Sequence, residues 1–108
     1  MVLTKKQIAF DLDTKALEKY YPKKNWRKAY EIIKKHMTKY KFEWQQGSVY
    51  TSKQPMKYTV AKNALSDLVK KNPWMNVCMR DCTTTNIGEE YSNNDLFDKS
   101  APIPARVE

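Results

Sequence analysis

A single acidic residue stands inside a short apolar run near the start of the chain. In Gln7-Ile-Ala-Phe-Asp-Leu12, Asp11 follows three apolar residues, and a buried carboxylate is costly unless it is paired or bound to a metal. Such a carboxylate can act as a metal ligand or as a general base. The structural alternative is a carboxylate that caps the following turn. The sequence leaves open whether chemistry at Asp11 uses Mg²⁺ or no metal.

Two later segments carry groups that can hold a phosphate. Gly47 allows its backbone to approach an anion, and Ser48 can donate a hydrogen bond to it. The alternative is ordinary turn chemistry. Arg80 can clamp a phosphate through two parallel hydrogen bonds, or it can pair with a carboxylate. Asp81 is a second candidate carboxylate, which we expect about 10 Å or more from Asp11 within one chain.

Charge is concentrated in one segment of this chain of 108 residues, whose net charge is +8. Residues 14–41 hold ten basic residues against two acidic ones. Their spacing predicts one basic stripe on a helix, formed by Lys24, Lys28, Lys35 and Lys39. Such a stripe is typical of a polyanion-binding surface, most simply for nucleic acid. The alternative is a solvated helix face that keeps the protein soluble.

Composition excludes several classes of protein. With only two glycines, the chain has no Gly-rich dinucleotide or P-loop motif. No apolar run is long enough for a membrane span, and the start lacks the apolar core of a secretory signal, so we expect a cytoplasmic protein. Cys78 and Cys82 are expected as free thiols, too far apart on one strand to bridge. The single histidine, His36, lies near an apolar stripe and is expected to be structural.

Periodicity and turn residues divide the chain into six main elements. The predicted elements are strand 7–12, a helical region of 14–21 and 25–40 capped at Asp13 and Asn25, hairpin 42–52, helix 56–71 and strand 76–84. These belong to one domain, residues 1–85. Residues 86–108 are expected to form a tail that is flexible or folds back on a partner.

The order strand–helix–strand–strand–helix–strand predicts an α+β, ferredoxin-like fold. Its four-stranded antiparallel sheet has the spatial order four-one-three-two, with two helices on one face. The other face is expected to be apolar and uncovered, which favours a homodimer packed sheet to sheet. The alternative is a monomer whose tail covers that face.

Three motifs in this order resemble the virulence-associated protein D (VapD) family. They are Ile8-Ala-Phe-Asp-Leu12, Phe42-Glu-Trp-Gln-Gln-Gly-Ser-Val-Tyr50 and Met79-Arg-Asp81, within a match of about residues 7–82. The resemblance implies a ferredoxin-like fold related to CRISPR-associated nucleases, homodimers, and endoribonuclease activity of toxin–antitoxin type. The chain departs from the family after Asp81, where it continues Cys-Thr-Thr-Thr-Asn-Ile-Gly-Glu-Glu.

On this interpretation Asp11, Ser48 and Asp81 are the candidate catalytic residues, with Asp11 also the candidate metal ligand. The candidate RNA contacts are Gly47, Tyr50, Arg80 and the four lysines of the basic stripe. Two alternatives remain: a non-catalytic dimer that binds nucleic acid or an antitoxin, and a CRISPR-type nuclease that acts on DNA. Fold likeness alone does not decide among them.

Overall fold

The computed structural model describes residues 3–88. The elements in chain order are β1 (Lys5–Leu12), α1 (Thr14–Tyr20), α2 (Lys28–Lys39), β2 (Phe42–Gln46), β3 (Val49–Ser52), α3 (Tyr58–Lys71), α4 (Met75–Cys78) and β4 (Met79–Ile87). Among these residues no helix is both long enough and apolar enough to cross a membrane.

The four strands form one sheet in the spatial order β2-β3-β1-β4, and every neighbouring pair is antiparallel. This is the order expected from the sequence, and the predicted α+β, ferredoxin-like fold is confirmed. The first and third strands occupy the middle of the sheet, so the end of β1 lies between β4 and the β2–β3 turn.

Local sequence signals explain where the first elements begin. Asp13 caps α1, because its side chain accepts hydrogen bonds from the backbone N–H groups of Lys15 and Ala16. Asn25 caps a turn that precedes α2, and the helix itself begins only at Lys28. Lys24 therefore lies before the helix, and the prediction of a four-lysine stripe on one helix is wrong at that position.

One face of the sheet carries the core. Ile8 and Leu12 of β1 point toward the helices and are almost fully buried. They pack in one cluster with Ile33 and Met37 of α2 and with Leu68 of α3. This alternation along β1 leaves every second residue for the opposite face of the sheet.

The opposite, open face of the sheet is mostly polar, and the expectation of an apolar open face is wrong. The paired positions on it are Gln7–Thr51, Gln7–Thr85, Ala9–Val49, Ala9–Thr83, Glu43–Thr51 and Asp11–Asp81. Thr83 lies opposite Ala9, and Thr51 and Thr85 lie on either side of Gln7. Near the middle of this face, the apolar surface that could drive dimerisation is therefore limited to the directly paired Ala9 and Val49.

His36 joins the two long helices. It is 8% exposed, and its Nε2–H donates to the carbonyl oxygen of Ala64 at 2.7 Å. Tyr40 stacks against it in a tilted arrangement, and the Tyr40 hydroxyl donates to the Asp67 carboxylate. These contacts agree with the structural role that the sequence suggested for the histidine.

The last strand begins later and ends later than its predicted span of 76–84. The helical turn α4 precedes it, and β4 continues to Ile87. Cys78 thus lies in α4, where it is buried, whereas Cys82 is exposed on β4. Both thiols are free as expected, but they do not share a strand. The predicted tail lies, from residue 89 onward, outside the described residues.

Candidate active site

Asp11 and Asp81 occupy directly opposite positions on β1 and β4. Residues directly opposite in an antiparallel pair share a face and have their Cβ atoms roughly 4.5–5.5 Å apart. The expectation that these carboxylates are about 10 Å or more apart within one chain is therefore wrong. The cause is the later start of β4, which moves Asp81 back to the level of Asp11.

A β-bulge lies beside this carboxylate pair. Asp11 is opposite Asp81, but the next residue of β1, Leu12, is opposite Met79. Arg80 is consequently the extra, unpaired residue of the bulge, a position at which side chains are re-aimed. Its Nε atom lies 4.0 Å from Oδ2 of Asp11. The Arg80 guanidinium thus lies close to the Asp11 carboxylate.

Asp11 is open to solvent, which corrects the expectation of a buried carboxylate. Its side chain is 66% exposed, and that of Arg80 is 64% exposed. Asp11 belongs to the alternate set of β1 residues that faces away from the helices, so its charge is hydrated. A substrate phosphate can therefore reach the pair without a conformational change.

The β2–β3 turn lies beside the end of β1, as expected. The backbone N–H of Phe10 donates to the carbonyl oxygen of Ser48 at 3.1 Å. Continuing this register by one residue places Asp11 level with Gly47. Gly47 has a φ of +48°, a conformation that favours glycine, and a Cβ at this position would meet no heavy atom within 4 Å.

A cleft of about 390 Å³ opens on the helix side of this turn, between α2 and the hairpin. Its lining comprises Tyr30, Glu31 and Lys34 of α2, with Trp44, Gly47, Ser48 and Tyr50 of the hairpin. Three residues singled out from the sequence thus line one cleft, whereas Asp11 and Asp81 lie on the open face. Gly47 lies where the two parts meet, since it borders the cleft and is level with Asp11.

Tyr50 forms an inner wall of the cleft rather than an exposed contact surface. It is 3% exposed, and its ring stacks on Phe10 with 5.9 Å between centroids. Burial raises the pKa of its hydroxyl above 10.0, so the group stays protonated and can donate a hydrogen bond at neutral pH.

The basic residues lie on the outer side of α2. Lys28, Lys35 and Lys39 are exposed and recur at spacings of seven and four residues, which places them on one face of the helix. Lys24 is also exposed but precedes α2. This arrangement can contact a phosphate backbone without reading sequence.

The described residues contain no group of three or more His, Cys, Asp or Glu side chains placed to hold a metal ion. Mg²⁺ needs fewer protein ligands, because it commonly binds through one or two carboxylates, substrate phosphate and water. Asp11 and Asp81 together meet that smaller requirement.

Trp44 and Lys34 are the site residues that the sequence did not identify. Trp44 is 48% exposed, and Lys34 Nζ lies 4.6 Å from the centroid of its ring. The sequence signal that could have identified them was a tryptophan on a short strand beside a Gly-Ser turn, directly after a basic helix. Its alternation with Phe42 suggested only a strand.

Comparison with known proteins shows the family of this chain. The chain is 33% identical over 90 residues to Endoribonuclease VapD 2 of Riemerella anatipestifer, covering 83% of this chain and 93% of that protein. It is 36% identical over 90 residues to the Endoribonuclease VapD homolog of Helicobacter pylori (strain ATCC 700392 / 26695), covering 83% and 90%. No protein-family model matches the chain. The identity and coverage shared with these relatives show that the chain belongs to the VapD family.

Proposed function

We propose that this protein is an endoribonuclease that cuts single-stranded regions of RNA at the Asp11–Asp81 pair. The observation that carries the proposal is that the two carboxylates lie directly opposite each other, exposed, with Arg80 beside Asp11. The two relatives compared above are both named endoribonucleases. Carboxylates that face each other in solvent without contributing to the core are expected where they handle a substrate.

Cleavage of the phosphodiester bond can follow either of two routes. In the first, Asp11 takes the proton of a ribose 2′-hydroxyl, the 2′-oxygen attacks the adjacent phosphorus, and the bond to the 5′-oxygen breaks. That oxygen takes a proton from solvent, so the products end in a 2′,3′-cyclic phosphate and a 5′-hydroxyl. In the second, Asp11 takes a proton from water and the water oxygen attacks phosphorus. One of the two P–O ester bonds breaks and the departing oxygen takes a proton from solvent, so the products end in a phosphate monoester and a hydroxyl.

The remaining residues of the site stabilise charge on the phosphate. Arg80 is exposed enough to leave Asp11 and to form two parallel hydrogen bonds with phosphate oxygens. Ser48 donates a hydrogen bond from the rim of the cleft. If the reaction uses Mg²⁺, Asp11 and Asp81 hold the ion, which supplies a further positive charge to the phosphate.

The test is cleavage of an end-labelled single-stranded RNA by wild type, Asp11→Asn and Asp13→Asn, each with Mg²⁺ and with chelator. Asp11→Asn is expected to lower the rate by about 10²–10⁴-fold. Asp13→Asn is the matched control, because it removes a charge two residues away while asparagine still caps α1. A substrate with one 2′-deoxyribose at the cut site distinguishes the two routes, since only the first needs the 2′-hydroxyl.

The other outcomes correspond to the alternative functions. RNA binding without cleavage in all conditions would indicate a non-catalytic binding module. Faster cleavage of DNA than of RNA of equal length would indicate a DNA-acting nuclease. Equal cleavage by wild type and Asp11→Asn, with an intact fold, would remove Asp11 from the mechanism.

A toxin-like role in the cytoplasm, with a cognate antitoxin as partner, is a further part of the proposal and is supported by family membership. Expression of the wild-type protein is expected to arrest bacterial growth, because unrestrained RNA cleavage stops protein synthesis. Asp11→Asn is expected to permit growth at equal protein level. Growth arrest by both proteins would contradict this role.

We also propose that the protein forms a homodimer through the open face of the sheet. The support is the directly paired Ala9 and Val49, which are half-buried apolar residues on that face. Light scattering after gel filtration is expected to give twice the monomer mass for wild type and the monomer mass for Val49→Asp. A monomeric wild type would contradict the dimer.

A further inference from the structure

We infer that the cleft between α2 and the β2–β3 hairpin holds one unpaired nucleobase of the substrate RNA, stacked on Trp44. The inference rests on the proposed function, because it says where the protein binds a base of the RNA that it cuts. The cleft volume of about 390 Å³ falls within the range of small-ligand pockets, roughly 300–1,000 Å³. Three of its seven lining residues are aromatic, namely Tyr30, Trp44 and Tyr50.

Trp44 has the properties of a stacking surface. It is 48% exposed and is not a member of the hydrophobic core cluster, so the fold does not require it. Its indole Nε1–H donates to the carbonyl oxygen of Gly47 at 2.9 Å, which holds the ring in one orientation. An exposed flat ring held in this way stacks a base without a large loss of side-chain entropy.

The charges at the cleft favour a base inside it and a phosphate outside. Glu31 lies on the wall formed by α2, where its carboxylate repels a phosphate but accepts hydrogen bonds from the N–H groups of a base edge. Lys34 Nζ lies 4.6 Å from the Trp44 ring centroid. The same ammonium group can leave the ring and contact a phosphate of the bound RNA. A nucleotide interacts favourably with both Glu31 and Lys34 when its base enters the cleft and its phosphate stays at the cleft entrance.

The cleft also lies at the right place relative to the carboxylate pair. Gly47 borders the cleft and is level with Asp11 in the register set by the hydrogen bond from Phe10 to Ser48. Trp44 is level with Ile8 and lies two strands from it, so an RNA strand whose base stacks on Trp44 can continue over the Gly47–Ser48 turn and bring the phosphate of a nearby nucleotide to Asp11. Trp44 thus acts as a binding residue that positions the phosphodiester.

The experiment measures binding separately from cleavage. In an Asp11→Asn background, fluorescence anisotropy gives the affinity for a short labelled single-stranded RNA and for variants with one abasic ribose at each position in turn. Trp44→Leu is expected to weaken binding of the intact RNA about 5- to 150-fold, the contribution of a stacked base, whereas Trp44→Phe retains most of it. One abasic RNA is expected to bind equally weakly with or without Trp44.

The matched control is Tyr58→Leu, which removes another exposed aromatic side chain, 54% exposed, from a different cavity at the start of α3. It is expected to leave binding unchanged. Circular dichroism and thermal unfolding verify that each variant is folded. In the cleavage-competent protein, Trp44→Leu is expected to raise KM more than it lowers kcat.

The outcomes separate this inference from the proposed function. Cleavage by wild type together with unchanged binding by folded Trp44→Leu overturns the nucleobase cleft and leaves the endoribonuclease proposal standing. Absence of cleavage together with weaker binding by Trp44→Leu supports the cleft and overturns the endoribonuclease proposal. Equal losses for Trp44→Leu and Tyr58→Leu also overturn the cleft, because they indicate nonspecific stacking.

Discussion

Asp11 and Asp81 lie directly opposite each other on the neighbouring antiparallel strands β1 and β4. Like charges at such positions destabilise a sheet, and here a single nearby guanidinium, that of Arg80, compensates from a bulge. The pair contributes nothing to the core, because Asp11 is 66% exposed. A stability cost without a packing benefit is typical of a functional site.

Removing one of these two charges is expected to separate stability from activity. Asp81→Asn should stabilise the fold by about 0.2–1 kcal/mol, since it relieves repulsion across the strand pair, while it lowers RNA cleavage. Urea unfolding and initial cleavage rates measure the two effects. Asp13→Asn, whose carboxylate caps a helix, serves as the control and should change neither. Full activity in Asp81→Asn would exclude Asp81 from the site.

Arg80 is expected to matter for cleavage and little for folding. Its pair with Asp11 has both side chains mostly exposed, so its loss costs no more than about 1 kcal/mol. Arg80→Ala should lower kcat about 10²–10³-fold, as the loss of one preorganised donor does. Arg80→Lys should recover part of the rate, because lysine keeps the charge but cannot form two parallel hydrogen bonds.

A result that would contradict this role is a folded Arg80→Ala variant that cleaves RNA at the wild-type rate. A large fall in unfolding free energy for Arg80→Ala would instead make Arg80 a structural residue.

The topology could be predicted from sequence because local signals decided it. Asp13 marked a helix start and Gly47 marked a hairpin turn, and the order of elements then allowed one sheet arrangement. The register of β4 could not be predicted, since Asn72-Pro73 ends α3 but does not reveal the helical turn Met75–Cys78 that follows. The four residues of that turn moved Asp81 opposite Asp11.

The polarity of the open face of the sheet could not be predicted from the sequence either. Ile8, Ala9 and Phe10 form a continuous apolar run, which is typical of a strand covered on both faces. Which residues of β3 and β4 share the open face with Ala9 depends on register, and the register placed Thr83 opposite Ala9 and Thr51 opposite Gln7. The cleft could not be predicted either, because its two walls, α2 and the β2–β3 hairpin, become neighbours only in the folded chain.

The basic stripe of α2 is expected to control the salt dependence of RNA binding. Replacing Lys28, Lys35 and Lys39 by alanine removes three exposed charges and should reduce the slope of log affinity against log salt by about 2, at about 0.7 per phosphate contact for single strands. The matched control replaces Lys62, Lys70 and Lys71, which are exposed on α3. Equal slopes for both triple variants would show that only net charge matters.

The contact between Tyr40 and Asp67 is expected to make stability depend on pH at both ends of the range. The hydrogen bond from Tyr40, helped by the positive charges of Lys70 and Lys71, lowers the pKa of Asp67 below 3.8. The same hydrogen bond raises the pKa of Tyr40 above 10.0. The stabilisation from Asp67 is therefore present above pH 3.8 and is lost as pH falls through its lowered pKa.

By the same reasoning the stabilisation from Tyr40 is present below pH 10.0 and is lost as pH rises through its raised pKa. Urea unfolding of wild type should show a plateau of stability between these limits. Tyr40→Phe removes the hydrogen bond but keeps the ring against His36, so its stability should fall less steeply as the pH falls below 3.8. Parallel curves for wild type and Tyr40→Phe would show that other carboxylates dominate acid unfolding and that this bond between α2 and α3 contributes little.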